Sequence, residues 1–393
     1  MNTEKIRQDI RGLSDGKIFL NNAGSSLMPS IVVDAMKEYL ELEEQIGGYE
    51  AANRNAETLE KFYDETARLI NAKPSNIAFA TSATEAYAKA LSSIMFEEDD
   101  VIITTADDYI SNQITFISLQ KKLKVNIIRT KNLPDNELDL EDLENLIKKY
   151  NPKLIAVTHI PTNSGLIQNV EGVGRLCKQY DVLYLVDACQ SVGQLAVDVE
   201  KIGCDFLSAT GRKFMRGPRG TGFLYVSDKV LEQNYAPLLL DMRGADWTEF
   251  NNYELFKTAK RFESWEISYA SLMGFTKALQ YANNIGLNAI EHYNRGLSVR
   301  LRENLRNSGF NVWDWGENLS SIVTFSGPDG DLEKIQHVLK EHNVFFSVTH
   351  KNSALIDFAR KNISGIVRLS PHYFNTVEEI DVVSNVLKRA FFR

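Results

Sequence analysis

The sequence predicts an α/β fold, a mainly parallel seven-stranded sheet with helices on both faces followed by a smaller C-terminal α+β domain. Three observations carry this expectation. Seven short β-rich runs alternate with amphipathic segments through the middle of the chain: NIAFATS (76–82), DVIITTA (100–106), KVNIIRT (124–130), KLIAVTHI (153–160), VLYLVDA (182–188), CDFLSAT (204–210) and TGFLYVS (221–227). Several are nearly unbroken apolar runs, as expected of strands covered on both faces. Helical patterns such as TEAYAKALSSIM and ELDLEDLENLIKKY lie between them, and strand–helix alternation favours a parallel sheet.

The last third has a different order. SYASLMGFTKALQYANNIG and NAIEHYNRGLSVRLRENLRN read as helices, SSIVTFS and GIVRLSP as strands, and a final helix closes the chain. The expected division is an N-terminal segment 1–15 packing with the small domain, a large domain 16–263 and a small domain 264–393.

The chain has 393 residues, 44% hydrophobic and 24% charged, with a net charge of −8. That balance argues against a nucleic-acid-coating surface. The polar start MNTEKIRQDIRGLSDGK lacks a secretory apolar region, and no run is long enough to cross a bilayer. Cys177, Cys189 and Cys204 are an odd set without CxxC spacing, which fits reduced thiols in a cytoplasmic enzyme. The six histidines show no HExxH, so no metal site is expected.

In sheets of this kind ligands bind beyond the carboxyl ends of the strands, so those residues are read for chemistry. After the first run, Ser82-Ala83-Thr84-Glu85 fits a capping box whose free amides attract an anion. VLYLVDACQS ends a buried strand on Asp187, with Gln190 beyond it; such a carboxylate needs a cap, a cation or a protonated ring nitrogen. THIPTNSG delivers Asn163, which by itself reads as a turn. SATGRKFMRGPRGTGFLYV crowds Lys213 with Arg212, Arg216, Arg219 and several glycines. It lacks the Gly-Lys-Ser/Thr of a nucleotide P-loop. A lysine among cations has a lowered pKa and attacks a carbonyl more readily. Thr210 and Arg212 could hold a phosphate while Gly217, Gly220 and Gly222 admit close backbone. An anion cradle, a carboxylate and a Schiff-base lysine together describe a pyridoxal-phosphate site.

ATSATEA, VDACQS and ATGRKFMRGPRGTGFLYV resemble the class V aminotransferase family, the cysteine-desulfurase-like pyridoxal-phosphate enzymes. The resemblance runs from FLNNAGSS to VRLSPHYFNTVEEID. It implies the fold type I architecture of pyridoxal-phosphate transferases and a homodimer with its site near the subunit interface. It also implies that Lys213 binds the cofactor covalently and moves the substrate α-proton, and that Asp187 pairs with the pyridinium nitrogen. Gln190 and Asn163 would lie near the phenolic oxygen, Asn163 also near the substrate carboxylate. Ala83, Thr84, Thr210 and Arg212 would hold the phosphate, although the family usually has His at the Arg212 position. Tyr109 of TADDYISN would stack on the ring, and Arg368 of GIVRLSPHYFN would grip the substrate carboxylate.

Two departures shape the functional expectation. Cysteine desulfurases carry a persulfide-forming cysteine shortly before that arginine, and SVTHKNSALIDFARKNIS has none. Where many members have Gly-Thr, with the threonine reaching the partner subunit's phosphate, this chain has Trp265-Glu266. HIPTNSG, GRKFMRGPRGTG and VRLSPHYFN look closest to the hercynylcysteine-sulfoxide lyase and isopenicillin-epimerase-like branch. The resulting expectation is a carbon–sulfur β-lyase on a cysteine-derived amino acid, giving pyruvate and ammonia without a persulfide cysteine. Transamination and epimerisation are the alternatives, and a non-catalytic cofactor-binding protein is disfavoured.

Overall fold

The computed structural model describes residues 1–13 and 16–392. All seven expected strands form, in one sheet: β1 (Ile77–Ala80), β2 (Val101–Thr104), β3 (Asn126–Arg129), β4 (Leu154–Thr158), β5 (Leu183–Asp187), β6 (Phe206–Thr210) and β7 (Gly222–Val226). Their spatial order is β1-β7-β6-β5-β4-β2-β3. β7 runs antiparallel to both neighbours and the remaining pairings are parallel.

Side chains alternate across the strands, and that alternation divides the core in two. Ile77, Phe79, Ile103, Val157, Tyr184, Val186, Leu207 and Phe223 face one layer. There they pack against α1 (Ser30–Ile46) and α2 (Ala56–Ile70). Ala78, Ala80, Ile102, Ala156, Leu185, Phe206 and Leu224 face the other, under α3 (Ala83–Ser92) and α4 (Ile110–Leu123). Burial on both faces explains why these strands read as continuous apolar runs.

α5 (Tyr269–Ile285) follows the chain's change of pattern, yet Leu272, Phe275, Ala278 and Leu279 bury in the same layer as α1 and α2. A hairpin, β8 (Ala245–Glu249) and β9 (Asn252–Leu255), stands away from the core with Trp247, Phe250 and Tyr253 exposed. The C-terminal sheet is antiparallel: β10 (Asn311–Val312), β11 (Val323–Ser326), β12 (Ser347–His350) and β13 (Gly365–Leu369), in the order β10-β11-β13-β12. Its own core joins Phe325, Val367 and Leu369 to Leu301, Ile380 and Leu387, and takes in Ile18 and Leu20 from the start of the chain. Ile18–Phe19 pairs in parallel with Val344–Phe345. The N-terminal segment thus touches both parts: Ile6 and Ile10 join the first core, while Arg7 pairs with Glu379 at 2.8 Å.

Candidate active site

The carboxyl ends of β2, β4, β5 and β6 open toward β13, and the residues nominated from the sequence gather there. The turn after β6 is closed by two backbone hydrogen bonds, Arg216 N–H to Lys213 C=O at 2.9 Å and Gly217 N–H to Gly211 C=O at 2.7 Å. A Cβ on Gly217 would stand 2.8 Å from the Phe275 ring, and one on Gly222 would stand 3.0 Å from the Ala83 amide nitrogen. Those two glycines are required by crowding. Gly220, at φ +78° with open space around it, serves the turn itself.

Lys213 is buried, and among the described residues its amine has neither a hydrogen bond nor an ion pair. Its pKa is lowered, first by burial and further by Arg212 and Arg368, while Cys189 and Asp187 oppose the shift. Crowding by all three neighbouring arginines is therefore corrected to burial plus one of them. Arg216 turns into the core and Arg219 faces solvent. The Tyr109 ring lies 5.7 Å from the Lys213 amine.

Asp187 at the end of β5 is a cap, and both of its carboxylate oxygens are engaged. One carboxylate oxygen accepts from the Cys189 backbone N–H at 2.9 Å, the other from Asn112 Nδ2 at 2.9 Å. Asn112 also donates to Asp108 at 3.1 Å, and Asp108 accepts from Gln113 at 3.0 Å and from Thr158. Burial raises the Asp108 pKa. This network was not anticipated from the sequence. Its only signal is the spacing of Asp108 and Asn112, which places them one helical turn apart at the start of α4.

Three further polar groups are buried without partners, namely Asn163 Oδ1, Gln190 Oε1 and Arg368 Nε. Gln190 Nε2 donates to the Ala23 carbonyl and to Thr162 Oγ1, each at 3.1 Å. Arg368 reaches the Thr162 carbonyl at 3.4 Å and has no carboxylate partner among the described residues. Burial, with the charge of Arg212, brings its pKa down to about 10. Arg212 itself donates to the Gly24 carbonyl, and its own carbonyl accepts from Ser26 N–H at 2.8 Å. The NNAGSS segment (Asn21–Ser26) is therefore part of the site's wall.

The helix start expected after β1 forms, with one correction. Ser82 accepts from the Glu85 amide at 3.1 Å, but the Glu85 carboxylate turns to Thr81, taking its N–H at 2.7 Å and its hydroxyl at 2.5 Å. Only half of the capping box is made, because Thr81 offers two donors where the Ser82 amide offers one. The first-turn amides of Ala83 and Thr84 have no acceptor within the helix. Ala83 abuts Gly222, which pairs with Thr210 across β6 and β7. Thr84 is exposed.

Comparison with known proteins now adds identity to geometry. The family model described as aminotransferase class-V matches residues 18–383. The chain belongs to the class V aminotransferase family. A protein of Pyrococcus abyssi named "Probable cysteine desulfurase" is 30% identical over 98% of this chain and 96% of its own. One of Methanothermobacter thermautotrophicus with the same name is 28% identical over 99% and 98%. The solved structure of a cysteine desulfurase from Thermococcus onnurineus superposes with a TM-score of 0.90 at 27% identity, covering 99% of this chain and 98% of that one.

The family's cofactor is pyridoxal 5'-phosphate, and the residues present fit it. Among the described residues, a buried amine without a partner, a carboxylate held in place, two orphaned amide oxygens and an open helix start all lie beyond the carboxyl ends of strands of one sheet. When bound, the group withdraws electrons from the α-carbon of an attached amino acid.

These relatives overturn the β-lyase expectation. Their names are those of enzymes that take sulfur from cysteine, which conflicts with a lyase that releases pyruvate and ammonia without a persulfide. None of these relatives carries the name of the narrower hercynylcysteine-sulfoxide lyase and isopenicillin-epimerase branch, while the family itself holds. The missing loop cysteine was a single-position signal, and it weighed less than similarity spread over the whole chain.

Proposed function

We propose that the chain is a pyridoxal-phosphate enzyme that desulfurates cysteine, transferring the sulfur to an acceptor thiol and releasing alanine. The carbon–sulfur bond breaks, the sulfur joins the acceptor thiol as a persulfide, and the carbon skeleton keeps its amino group. The observation that carries this reading is the pairing of a buried, unpartnered Lys213 with a buried, carboxylate-free Arg368, beside whole-chain similarity to desulfurases.

In this reading Arg368 holds the substrate carboxylate, with Asn163 beside it. Lys213, its charged form disfavoured by burial, anchors the cofactor and then moves the α-proton. Asp187 holds the ring nitrogen in its protonated form, and Asn112 fixes the orientation of that carboxylate. Tyr109 covers the ring, and Gln190 meets the phenolic oxygen. Ala83, Thr84, Thr210 and Arg212 face the phosphate. Cys189 lies against Lys213 and Asp187, and burial raises its thiol pKa, so it packs as an uncharged sulfur.

A homodimer completes the proposal. Leu238, Leu239, Met242, Trp247 and Phe250 are each at least 66% exposed, an apolar cover that a second copy would bury. No helix among the described residues is long and apolar enough to cross a membrane, and the three free thiols support a cytoplasmic setting. The proposed division into large and small domains places Lys213 on the first and Arg368 on the second.

The test is turnover of L-cysteine by the holoenzyme with dithiothreitol present, followed by amino-acid analysis and mass spectrometry. Alanine formed in step with sulfur found on added thiol supports the reading. Pyruvate in place of alanine would sink it.

A further inference from the structure

Of the three arginines around Lys213, Arg216 alone is fully buried. Its backbone sits at φ +58°, a left-handed conformation uncommon outside glycine, and its N–H closes the turn onto the Lys213 carbonyl. Nε donates to the Leu27 carbonyl at 2.9 Å, while among the described residues both terminal nitrogens lack a hydrogen-bond partner. In place of acceptors the guanidinium meets three ring faces, Phe374 at 4.8 Å, Tyr373 at 5.0 Å and Tyr281 at 5.6 Å. A planar, weakly hydrated cation suits such a cage, and unpaired buried donors are tolerated only while the rings stay in place.

A second tie runs parallel to the first. His372 Nε2 donates to the Phe214 carbonyl at 2.8 Å, and its Nδ1 accepts from Asn294 at 3.1 Å, which sets the tautomer. The Phe214 ring stands edge-on to the imidazole at 5.1 Å. Burial keeps this histidine neutral. His372, Tyr373 and Phe374 continue directly from β13, the strand that carries Arg368. Both ties therefore join the backbone bearing Lys213 to the backbone bearing Arg368.

We propose that Arg216 is a positioning residue: seated in the Tyr281–Tyr373–Phe374 cage, it holds the Lys213 turn in register with the Arg368 strand. The substrate's carboxylate end and the lysine amine are then set at a fixed separation. The inference rests on the roles assigned above to Lys213 and Arg368.

The experiment uses the full-length holoenzyme and the variants Arg216→Lys, Arg216→Met and Tyr281→Leu. Borohydride labelling of residue 213, cofactor absorbance against pH, kcat and KM for L-cysteine, Tm and amide hydrogen exchange are measured on each. Labelling should persist in all three. Misplacement of the reacting groups by about 1 Å predicts a loss near 100-fold in kcat/KM for both arginine variants. Arg216→Lys keeps the charge but not the planar face, so it should rescue nothing, and the pH midpoint of the absorbance should shift.

Tyr281→Leu removes one wall from a half-buried helix and gives a smaller change in the same direction, even where the arginine variants fail to fold. Amide exchange should quicken in 211–217 and 368–375 together. The proposal is overturned if Arg216→Lys or Tyr281→Leu lowers Tm alone, with kinetics and absorbance midpoint unchanged, or if only one of the two segments loosens. Absence of a wild-type adduct at Lys213 would instead refute the functional reading, and the exchange result would still decide the clamp.

Discussion

The rim of the large sheet and the strand that faces it are built by opposite means. On the rim, Asp187, Asn163, Thr210 and Lys213 each lie within five residues of a strand end, and the Asp187 carboxylate and the Lys213 backbone are held by bonds made within the same layer. Arg368 lies inside β13, and its side chain reaches the carbonyl of Thr162, 206 residues away in the chain. The first region draws its supports from the sheet itself and from the helix starts that follow its strands. The second takes its position from contacts between distant segments, the Arg216 cage and the His372–Phe214 bond among them.

That contrast is easiest to break at Lys213. Lys213→Ala should lower kcat with L-cysteine by about 10⁴-fold, the upper range for a proton-transferring group, while Tm changes little. A variant with substantial turnover would show that the rim does not carry the chemistry.

The rim's support can be probed from behind. Glu263 is buried and accepts from Tyr63 at 2.8 Å, from the Phe79 amide at 2.8 Å and from Arg243 at 3.1 Å. Glu263→Leu leaves those donors unsatisfied, and chemical denaturation should show a loss of about 3 kcal/mol. A loss confined to the C-terminal part would contradict the assignment of this support to β1.

pH sharpens the same point. Burial lowers the His159 pKa from 6.5 to about 4, and its backbone N–H bonds the Asp187 carbonyl at 2.9 Å. The unfolded chain binds the extra proton first, so stability is complete above pH 6.5 and drains away as pH falls toward 4. The single-site effect is about 3 kcal/mol. His159→Gln should flatten the denaturation profile over that window, and an unchanged profile would remove His159 from the account.

The smallest effect is expected on the facing strand. Arg368→Lys keeps the charge but loses bidentate geometry, so KM for L-cysteine should rise about tenfold with kcat nearly unchanged. An equal fall in kcat would mean that Arg368 acts in the chemical step as well as in binding.

Much of the rim was legible because burial on both faces leaves an apolar run in the chain, and chemistry then falls on the residues that follow it. The network of Asp108, Asn112 and Thr158 escaped notice because polar residues at a helix start look like solvated ones. The turn of Glu85 to Thr81 escaped too, since a capping-box pattern does not say which amide wins the carboxylate. The function assigned by one missing cysteine was overturned by relatives matching nearly the whole chain, which shows how little a single position weighs.

By itself the sequence determined the seven strands, their helical cover and the strand-end residues, because hydrophobic periodicity and chain adjacency are local properties. The tertiary structure alone decided that Arg216 enters an aromatic cage, that Arg368 meets Lys213's field and that Gln190 rests on Ala23. Those are contacts between segments far apart in the chain, and no local pattern encodes which distant surfaces will close on one another.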